Sequence, residues 1–170
     1  YSIGFRIPGR AELAQELLQR LAEDAEAAVG VGFYCDPDQE AVAQPAEIPS
    51  AMLAFAQDAV RDALKQPHAF ARGLGEYMTE PKPSVWFDAQ EASEEQVAAL
   101  RRNGCRLDRR SRMMFDEQHI FINGESFTAS GQDAALMRAL ANERYLRGQE
   151  VSQLSGQAFE LLVSWVDAGW

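Results

Sequence analysis

Histidine is scarce in this 170-residue sequence, which contains only His68 and His119. A mononuclear iron site built from two histidines and one carboxylate usually places a histidine and an acidic residue two positions apart on a strand. Positions 70 and 121 are both phenylalanine, so neither histidine can begin that pattern. We therefore expect His68 to be a solvated residue at a helix start, His119 to be a cross-strand partner, and the chain to hold no metal.

Cysteine is equally scarce, and long apolar runs are absent. Two cysteines far apart in sequence do not form a disulfide framework, which favours a reducing cytoplasm. Asp36 and Asp38 disfavour the thiolate of Cys35, and Cys105 is expected to be a half-buried structural thiol. No apolar run approaches the roughly 18 residues of a membrane span. No nucleophile elbow, P-loop or dinucleotide fingerprint occurs, so no catalytic or cofactor-binding residue is predicted.

The net charge of −10 is unevenly distributed. Residues 1–100 carry all of it, whereas the acidic and basic side chains of residues 101–170 are equal in number. An acidic field repels phosphate backbones, so the first part is not expected to bind nucleic acid. The change near residue 100 also indicates two modules.

Arginines form the only dense cluster of one charge. One interpretation is a basic patch for nucleic acid or an acidic partner, centred on Arg106, Arg109 and Arg110. The alternative, which we favour, is a solvated rim that docks against the module's own acidic first half. A helix that reads DNA needs basic residues, and the last predicted helix has Glu160 and Asp167 but no lysine or arginine. The cluster consists of Arg101, Arg102, Arg106, Arg109, Arg110 and Arg112.

The first part of the chain predicts one strand followed by three amphipathic helices. Residues 1–8 alternate with period two and end at a proline, which is typical of a strand. We expect this strand to be the last of a sheet outside the sequence, or alternatively a tail that folds back on a later hairpin. The first helix is predicted over 10–29. The second begins at an N-cap at Ser50 and ends at Pro67, and the third lies between Pro67 and Pro81. Their wide apolar faces suggest burial against another copy or another domain.

The second part mixes helices and short strands. A capping box at Ser93 and Gln96 predicts a helix that ends at Asn103 and Gly104. Asn123 and Gly124 favour a type I′ hairpin turn. The order of the elements is typical of a winged helix, with Trp165 in the core. The predicted elements are strands at 105–108, 113–115, 119–122 and 125–128, a helix capped by Ser130, and a helix over 156–168.

Several segments, in order along the whole chain, resemble the bacterial JmjC/cupin ribosomal oxygenases. The segment Tyr1–Arg6 resembles their final barrel strand, and Phe33–Asp38 is similar to the loop after their first C-terminal helix. Two further segments, Lys65–Phe70 and Gly75–Tyr77, look like a later helix of their dimerisation region. Phe159–Trp170 looks like their last winged-helix segment.

This resemblance implies that the chain is the C-terminal part of an oxygenase dependent on Fe(II) and 2-oxoglutarate. Such enzymes hydroxylate a ribosomal protein, in the bacterial branch an arginine of a large-subunit protein. The iron ligands of such enzymes would precede Tyr1. The resemblance therefore assigns no metal ligand and no oxoglutarate-binding residue to any position of this sequence. This chain alone is then expected to be inactive and to bind neither cofactor.

We therefore predict an α+β fold in three parts and an architectural role. Residues 1–8 form a terminal barrel strand, 9–83 a helical dimerisation domain, and 84–170 a winged-helix-like domain. The chain is expected to form a cytoplasmic homodimer that helps to dock the ribosomal protein, without contact to membrane or nucleic acid. The alternative is a nucleic-acid-binding or adaptor domain that uses the arginine cluster. The predicted dimer interface consists of Leu13, Leu17, Leu21, Phe55 and Val60.

Overall fold

The computed structural model describes residues 8–37, 44–65 and 68–170. Its contacts divide the chain into two compact units, 1–73 and 74–170. The predicted strand over 1–8 lies outside the described residues except for Pro8. Helices dominate and two small sheets accompany them, so the predicted α+β class is confirmed. The three predicted functional parts remain a prediction.

The first unit is helical throughout its described elements. The predicted helix over 10–29 is broken at Asp24. The Asp24 backbone amide donates to the Ala22 carbonyl rather than to the carbonyl four residues back. Gly30, with a φ of 73°, ends the second of the two resulting helices. The predicted N-cap at Ser50 is wrong by one residue, because Pro49 supplies the extended N-cap backbone and Ser50 is already helical. The helices are α1 (Arg10–Glu23), α2 (Ala25–Val29), α3 (Ser50–Leu64) and α4 (Ala69–Thr79), and α4 contains the boundary between the units.

Contacts between α1 and the start of α4 organise the first unit. Leu17 and Leu21 of α1 are buried. Gly73 of α4 faces Leu17 and the aliphatic part of Arg20, where an added Cβ would make ordinary van der Waals contacts at 3.6–3.7 Å. Helical spacing therefore buries one stripe of α1, as its sequence predicts.

The second unit contains the remaining elements and both sheets. Strands β2, β3 and β4 form an antiparallel sheet in that order, and β1 pairs with β5. The predicted strand over 105–108 is shorter, because the Asp108 amide instead donates to the Trp170 carbonyl at 2.6 Å. The elements are α5 (Glu94–Asn103), β1 (Cys105–Arg106), β2 (Met113–Phe115), β3 (His119–Ile122), β4 (Glu125–Thr128), α6 (Gly131–Glu143), β5 (Tyr145–Leu146), α7 (Gly148–Val151) and α8 (Gly156–Asp167).

Local sequence rules account for the ends of several elements. The Ser93 side chain accepts from the Gln96 amide while Gln96 returns a bond to the Ser93 amide, so the predicted capping box is confirmed. Asn123 and Gly124 have φ values of 49° and 93°, as a type I′ turn requires. This turn places Ile122 opposite Glu125 and fixes the register of the β3–β4 hairpin. Ser130 holds the N-cap position of α6, although its side chain makes no capping bond.

A continuous apolar core holds the second unit together. Ile122, Leu140, Leu146 and Val151 are fully buried, and Trp165 of α8 is 3% exposed. Apolar burial of this kind contributes roughly 25 cal/mol for each Å² removed from water. The core thus joins the hairpin, α6, β5, α7 and α8 into one cooperative body.

The β3–β4 hairpin is fastened to the C-terminal half of α4. Gly75 lies against the ring of Phe121, so closely that an added Cβ would overlap three ring atoms. The Gly124 amide donates to Thr79 Oγ1 at 3.1 Å, and Ser126 Oγ donates to Glu76 Oε1 at 2.6 Å. The helix therefore fixes the position of the turn and of the following strand.

We expect Gly75→Ala to destabilise the second unit by about 1–3 kcal/mol, because the buried Phe121 ring cannot move without disturbing the core. Gly73→Ala is the matched control on the same helix, where the new methyl has room. Removing that glycine should stabilise the helix by up to about 1 kcal/mol. Urea unfolding followed by circular dichroism measures both effects, and equal stabilities of the two variants would contradict the packing described here.

Candidate interaction surfaces

The described ranges, 8–37, 44–65 and 68–170, contain no group of three or more His, Cys, Asp or Glu residues that could hold a metal ion. His119 is buried and lies opposite Thr128 in the sheet, with Nδ1 3.2 Å from both carboxylate oxygens of Asp116. His68 is exposed in the turn before α4. The surroundings of these two histidines do not fit an iron site.

Asp116 organises the turn before β3. Burial raises the pKa of this carboxyl, but hydrogen bonds from the Gln118 and His119 amides and from the His119 ring outweigh that effect and leave the pKa below its ordinary value. The carboxylate thus serves as a structural acceptor for three donors.

The two cysteines occupy different surroundings. Cys35 is exposed, whereas Cys105 at the start of β1 is half-buried. Burial raises the pKa of the Cys105 thiol to about 11, and the backbone contact with Leu146 offsets only part of this rise. The neutral thiol is a poor nucleophile, so Cys105 suits a structural role.

Arg110 is the most strongly held member of the arginine cluster. Its Nε donates to Asp108 Oδ1 at 2.9 Å, its NH1 donates to the Trp86 carbonyl at 2.8 Å, and its NH2 lies 3.5 Å from Asp88 Oδ2. Arg110 lowers the pKa of Asp108 through the same hydrogen bond. Trp86 and Asp88 belong to the same unit as Arg110, so these contacts hold Arg110 against its own unit.

Three further arginines of the cluster also contact their own unit. The Arg101 guanidinium lies 3.8 Å from the ring centre of Phe159, and Arg106 lies 5.6 Å from that of Tyr145. Arg112 donates to the Glu80 carbonyl at 3.3 Å. All three residues predicted for a basic patch are exposed. Within the described part of the chain, Arg106 and Arg110 contact other side chains, whereas Arg109 makes no such contact.

The first unit carries an apolar groove between α1–α2 and α3. No residue of α3 is buried. The groove has a volume of about 350 Å³, and every side chain that lines it is apolar. The lining residues are Leu18, Leu21, Ala22, Ala25, Val29, Ala59, Val60, Ala63 and Leu64.

The residues predicted for a dimer interface differ in exposure. Leu17 and Leu21 are buried within the single chain, and Leu13 is half-buried. Phe55 is 42% exposed, with its ring 5.7 Å from that of Tyr34, and Val60 is 62% exposed. Of these five residues, Val60 alone presents most of its surface outward, and Phe55 presents less than half.

A second cavity, in the second unit, lies beside β4. It has a volume of about 440 Å³ and combines hydroxyl groups with an aromatic floor, where the Phe127 and Trp165 ring centres are 5.5 Å apart. It was not predicted from the sequence, since its lining comes from segments 125–133 and 155–165 together with Ile120 and Met137. The serines that flank β4 and begin α8 are the signal that could have pointed to it. The lining residues are Ile120, Ser126, Phe127, Thr128, Ala129, Ser130, Asp133, Met137, Ser155, Gln157, Ala158, Leu161 and Trp165.

Asp133 fixes one end of this second cavity. Its carboxylate accepts from the Ser155 amide at 2.9 Å and from Ser155 Oγ at 2.6 Å. Ser155 in turn caps α8 by accepting from the Ala158 amide. The carboxylate therefore already occupies the N-terminus of α8, where an anion would otherwise bind.

None of the helices in the described part of the chain is long and apolar enough to cross a bilayer.

The raised pKa of Cys105 predicts unequal thiol reactivity. At pH 8 only about one Cys105 thiol in a thousand is ionised, so iodoacetamide should modify Cys35 first. In the Cys35→Ser variant the remaining reaction should accelerate about tenfold per pH unit up to near pH 11. A rate that stops rising below pH 9 would contradict the assigned burial of Cys105.

Comparisons with known proteins agree with this architecture. No curated protein sequence matches the chain. The solved structure of Escherichia coli ycfD has a TM-score of 0.71 and 18% identity, covering 99% of this chain and 45% of that one. YcfD, described as a ribosomal oxygenase from Escherichia coli and solved with cobalt and 2-oxoglutarate, has a TM-score of 0.72 and 18% identity, covering 99% of this chain and 47% of that one.

Likeness at this level of identity shows the fold, and the chain spans less than half the length of these structures. The family model described as "ROXA-like winged helix" matches residues 58–170, which is more than half of the chain. The winged-helix prediction and the resemblance to the ribosomal oxygenases are thereby confirmed. The chain belongs to the ROXA-like winged-helix family.

Proposed function

We propose that this chain is the dimerisation and substrate-docking portion of an oxygenase dependent on Fe(II) and 2-oxoglutarate. The parent enzyme would hydroxylate an arginine side chain of a large-subunit ribosomal protein. Family membership and the fold shared with YcfD support the assignment to such a parent. We assign iron and 2-oxoglutarate to a part of the parent outside this chain.

The exposed apolar face of α3 carries the dimerisation part of the proposal. An isolated helix of 15 residues is marginal in water and depends on the burial of an apolar face. In this chain none of the α3 side chains is buried, although several of them are large and apolar. The exposed apolar residues are Met52, Leu53, Phe55, Val60 and Leu64.

A second copy of the chain is the occupant that best fits the groove beside α3. Each copy offers both a wholly apolar groove and exposed apolar side chains, so a two-fold arrangement can cover both at once. The charged residues of α3 are paired: Arg61 contacts Asp58, and Asp62 accepts from Lys65, which follows the helix, at 2.7 Å. We therefore place Phe55 and Val60 at the interface, and Leu17 and Leu21 in the layer beneath it.

We expect Val60→Asp to convert a dimer into a monomer, because an unpaired charge buried in an apolar interface costs several kcal/mol. Ala54→Asp is the matched control, since it adds the same charge to the same helix at an exposed residue that does not line the groove and shares its face with Asp58 and Arg61. Sedimentation of the 170-residue chain measures the mass, and circular dichroism verifies the helical content of each variant.

A monomeric unmodified chain, or a Val60→Asp variant that remains dimeric, would refute the dimerisation proposal. Dissociation by Ala54→Asp as well would show that charge on α3, rather than burial in the groove, controls assembly.

The docking part of the proposal rests on charge. The net charge of −10 comes entirely from residues 1–100, and a basic ribosomal protein is complementary to it. The free cysteines also suit the reducing cytoplasm, where such a client is found. The rival function, nucleic-acid binding by the arginine cluster, has less support, because Arg101, Arg106, Arg110 and Arg112 contact their own unit.

Association with the client should therefore weaken with salt. We expect the association rate with isolated large-subunit ribosomal proteins to fall at least about tenfold between low and high salt. A triple variant of exposed acidic residues, Glu91→Gln, Glu94→Gln and Glu95→Gln, should bind more slowly and show a smaller salt dependence. Stopped-flow mixing measures these rates, and an association rate that is independent of salt would contradict the electrostatic part of the proposal.

A further inference from the structure

Strand β4 is an edge strand with one unpaired side in the described structure. The sheet order is β2-β3-β4, so β4 pairs with β3 alone. In a hairpin closed by a two-residue turn, the residues that flank the turn, Ile122 and Glu125, exchange backbone hydrogen bonds. Alternation along the strand then directs the amide and carbonyl of Ser126 and Thr128 away from β3. These groups are available to an added strand.

The 440 Å³ cavity lies along this unpaired side of β4. Ser126 and Thr128 form one wall, and Gln157 and Leu161 of α8 form the other. A strand placed beside β4 would direct every second side chain toward the aromatic floor of the cavity. Backbone pairing with β4 and side-chain insertion into the cavity are therefore geometrically compatible.

Trp165, on the floor of the cavity, carries a polar group with no partner. Its ring is 3% exposed, and its Nε1–H is buried without an acceptor in the described part of the chain. A buried donor without an acceptor lowers stability, and native structures rarely leave one unsatisfied. A carbonyl or polar group that enters the cavity would supply the acceptor that the chain itself does not provide.

The charge around the cavity selects the kind of peptide. The two segments that supply most of its lining, 125–133 and 155–165, contain Glu125, Asp133 and Glu160 but no lysine or arginine. One cation lies beside them, the Arg101 guanidinium over the ring of Phe159, so carboxylates remain in excess. Asp133 makes its hydrogen bonds to Ser155 and still contributes its negative charge. An extended segment with basic residues is therefore attracted to this surface, whereas nucleic acid and acidic segments are repelled.

We propose that the β4 edge and the adjoining cavity bind an extended basic peptide segment. The segment adds to the sheet beside β4 and inserts an apolar side chain over Phe127 and Trp165, while its basic residues face Glu125 and Glu160. Affinity comes from main-chain hydrogen bonds, and specificity comes from the cavity and the charge. This inference deepens the docking part of the proposed function and rests on that part for the identity of the client.

Synthetic peptides test the inference without altering the protein. The probe is an acetylated and amidated peptide of alternating lysine and valine, and the control replaces each lysine by glutamate. In a strand the amides of one alternate set point to the neighbouring strand and those of the other set point away. N-methylation of one set should therefore weaken binding to the 170-residue chain at least about tenfold, whereas N-methylation of the other set should change it less than about twofold.

Titration calorimetry measures this binding, and tryptophan fluorescence of a variant with Trp86→Phe and Trp170→Phe reports on Trp165. The glutamate peptide should bind at least about tenfold more weakly than the lysine peptide. Equal effects of the two methylated sets, equal affinity for the glutamate peptide, or an affinity unchanged by either methylation would overturn the proposal.

A pair of variants tests the β4 edge from the side of the protein. Thr128→Pro removes the outward amide and leaves the ladder to β3 intact, whereas Thr128→Val retains the amide. We expect Thr128→Pro to weaken binding of the lysine-valine peptide at least about tenfold and Thr128→Val to change it less than about twofold. If Thr128→Pro fails to fold, the methylated peptides decide the question alone.

Oligomeric state separates this inference from the dimerisation proposal. Val60→Asp lies in the first unit and should leave peptide affinity unchanged, even where it abolishes the dimer. Loss of the dimer in Thr128→Pro, without loss of peptide binding, would show that a second copy occupies the β4 edge and would overturn the proposal. Failure of ribosomal-protein binding with intact peptide binding would overturn only the identity of the client.

Discussion

The contact between Gly75 and the ring of Phe121 is the constraint on which the second unit depends. It allows α4 to approach the β3–β4 hairpin closely enough for Thr79 and Glu76 to bond the turn and the following strand. Phe121 is 3% exposed, so the ring has no other place in the unit. Because Gly75 has no side-chain methyl group, α4 can lie against the Phe121 ring. This close contact fixes the position of β4 and of the cavity wall that β4 forms.

The two units present surfaces of different chemistry. The groove of the first unit is wholly apolar, which suits a large, permanent interface between identical copies. The cavity of the second unit combines hydroxyl groups, one carboxylate and two aromatic rings beside unpaired backbone groups. Such a mixed surface suits a partner that binds and leaves. An assembly role and a recognition role can therefore reside in separate units of one chain.

Local rules predicted much of this fold, and long-range contacts account for what they missed. The capping box at Ser93 and the Asn123–Gly124 turn depend on a few adjacent residues, so the sequence predicts them closely. Strand β5 and helix α7 depend on close approaches instead: Gly148 lies against the carbonyl of Arg102, far away in sequence. The cavity beside β4 was missed for the same reason, because no short segment contains it. Apolar periodicity also could not separate Leu17, which is buried within one chain, from Val60, which is exposed.

The unpaired side of β4 has a consequence for the behaviour of the protein in concentrated solution. An open strand edge is a template for any extended chain, including misfolded protein, and can therefore initiate aggregation. Two properties of β4 limit that hazard: the strand has only four residues, and it begins with the charged Glu125. Repulsion between the negatively charged copies is a further limit, and it vanishes near the isoelectric point of about 4.7, where colloidal stability should be lowest.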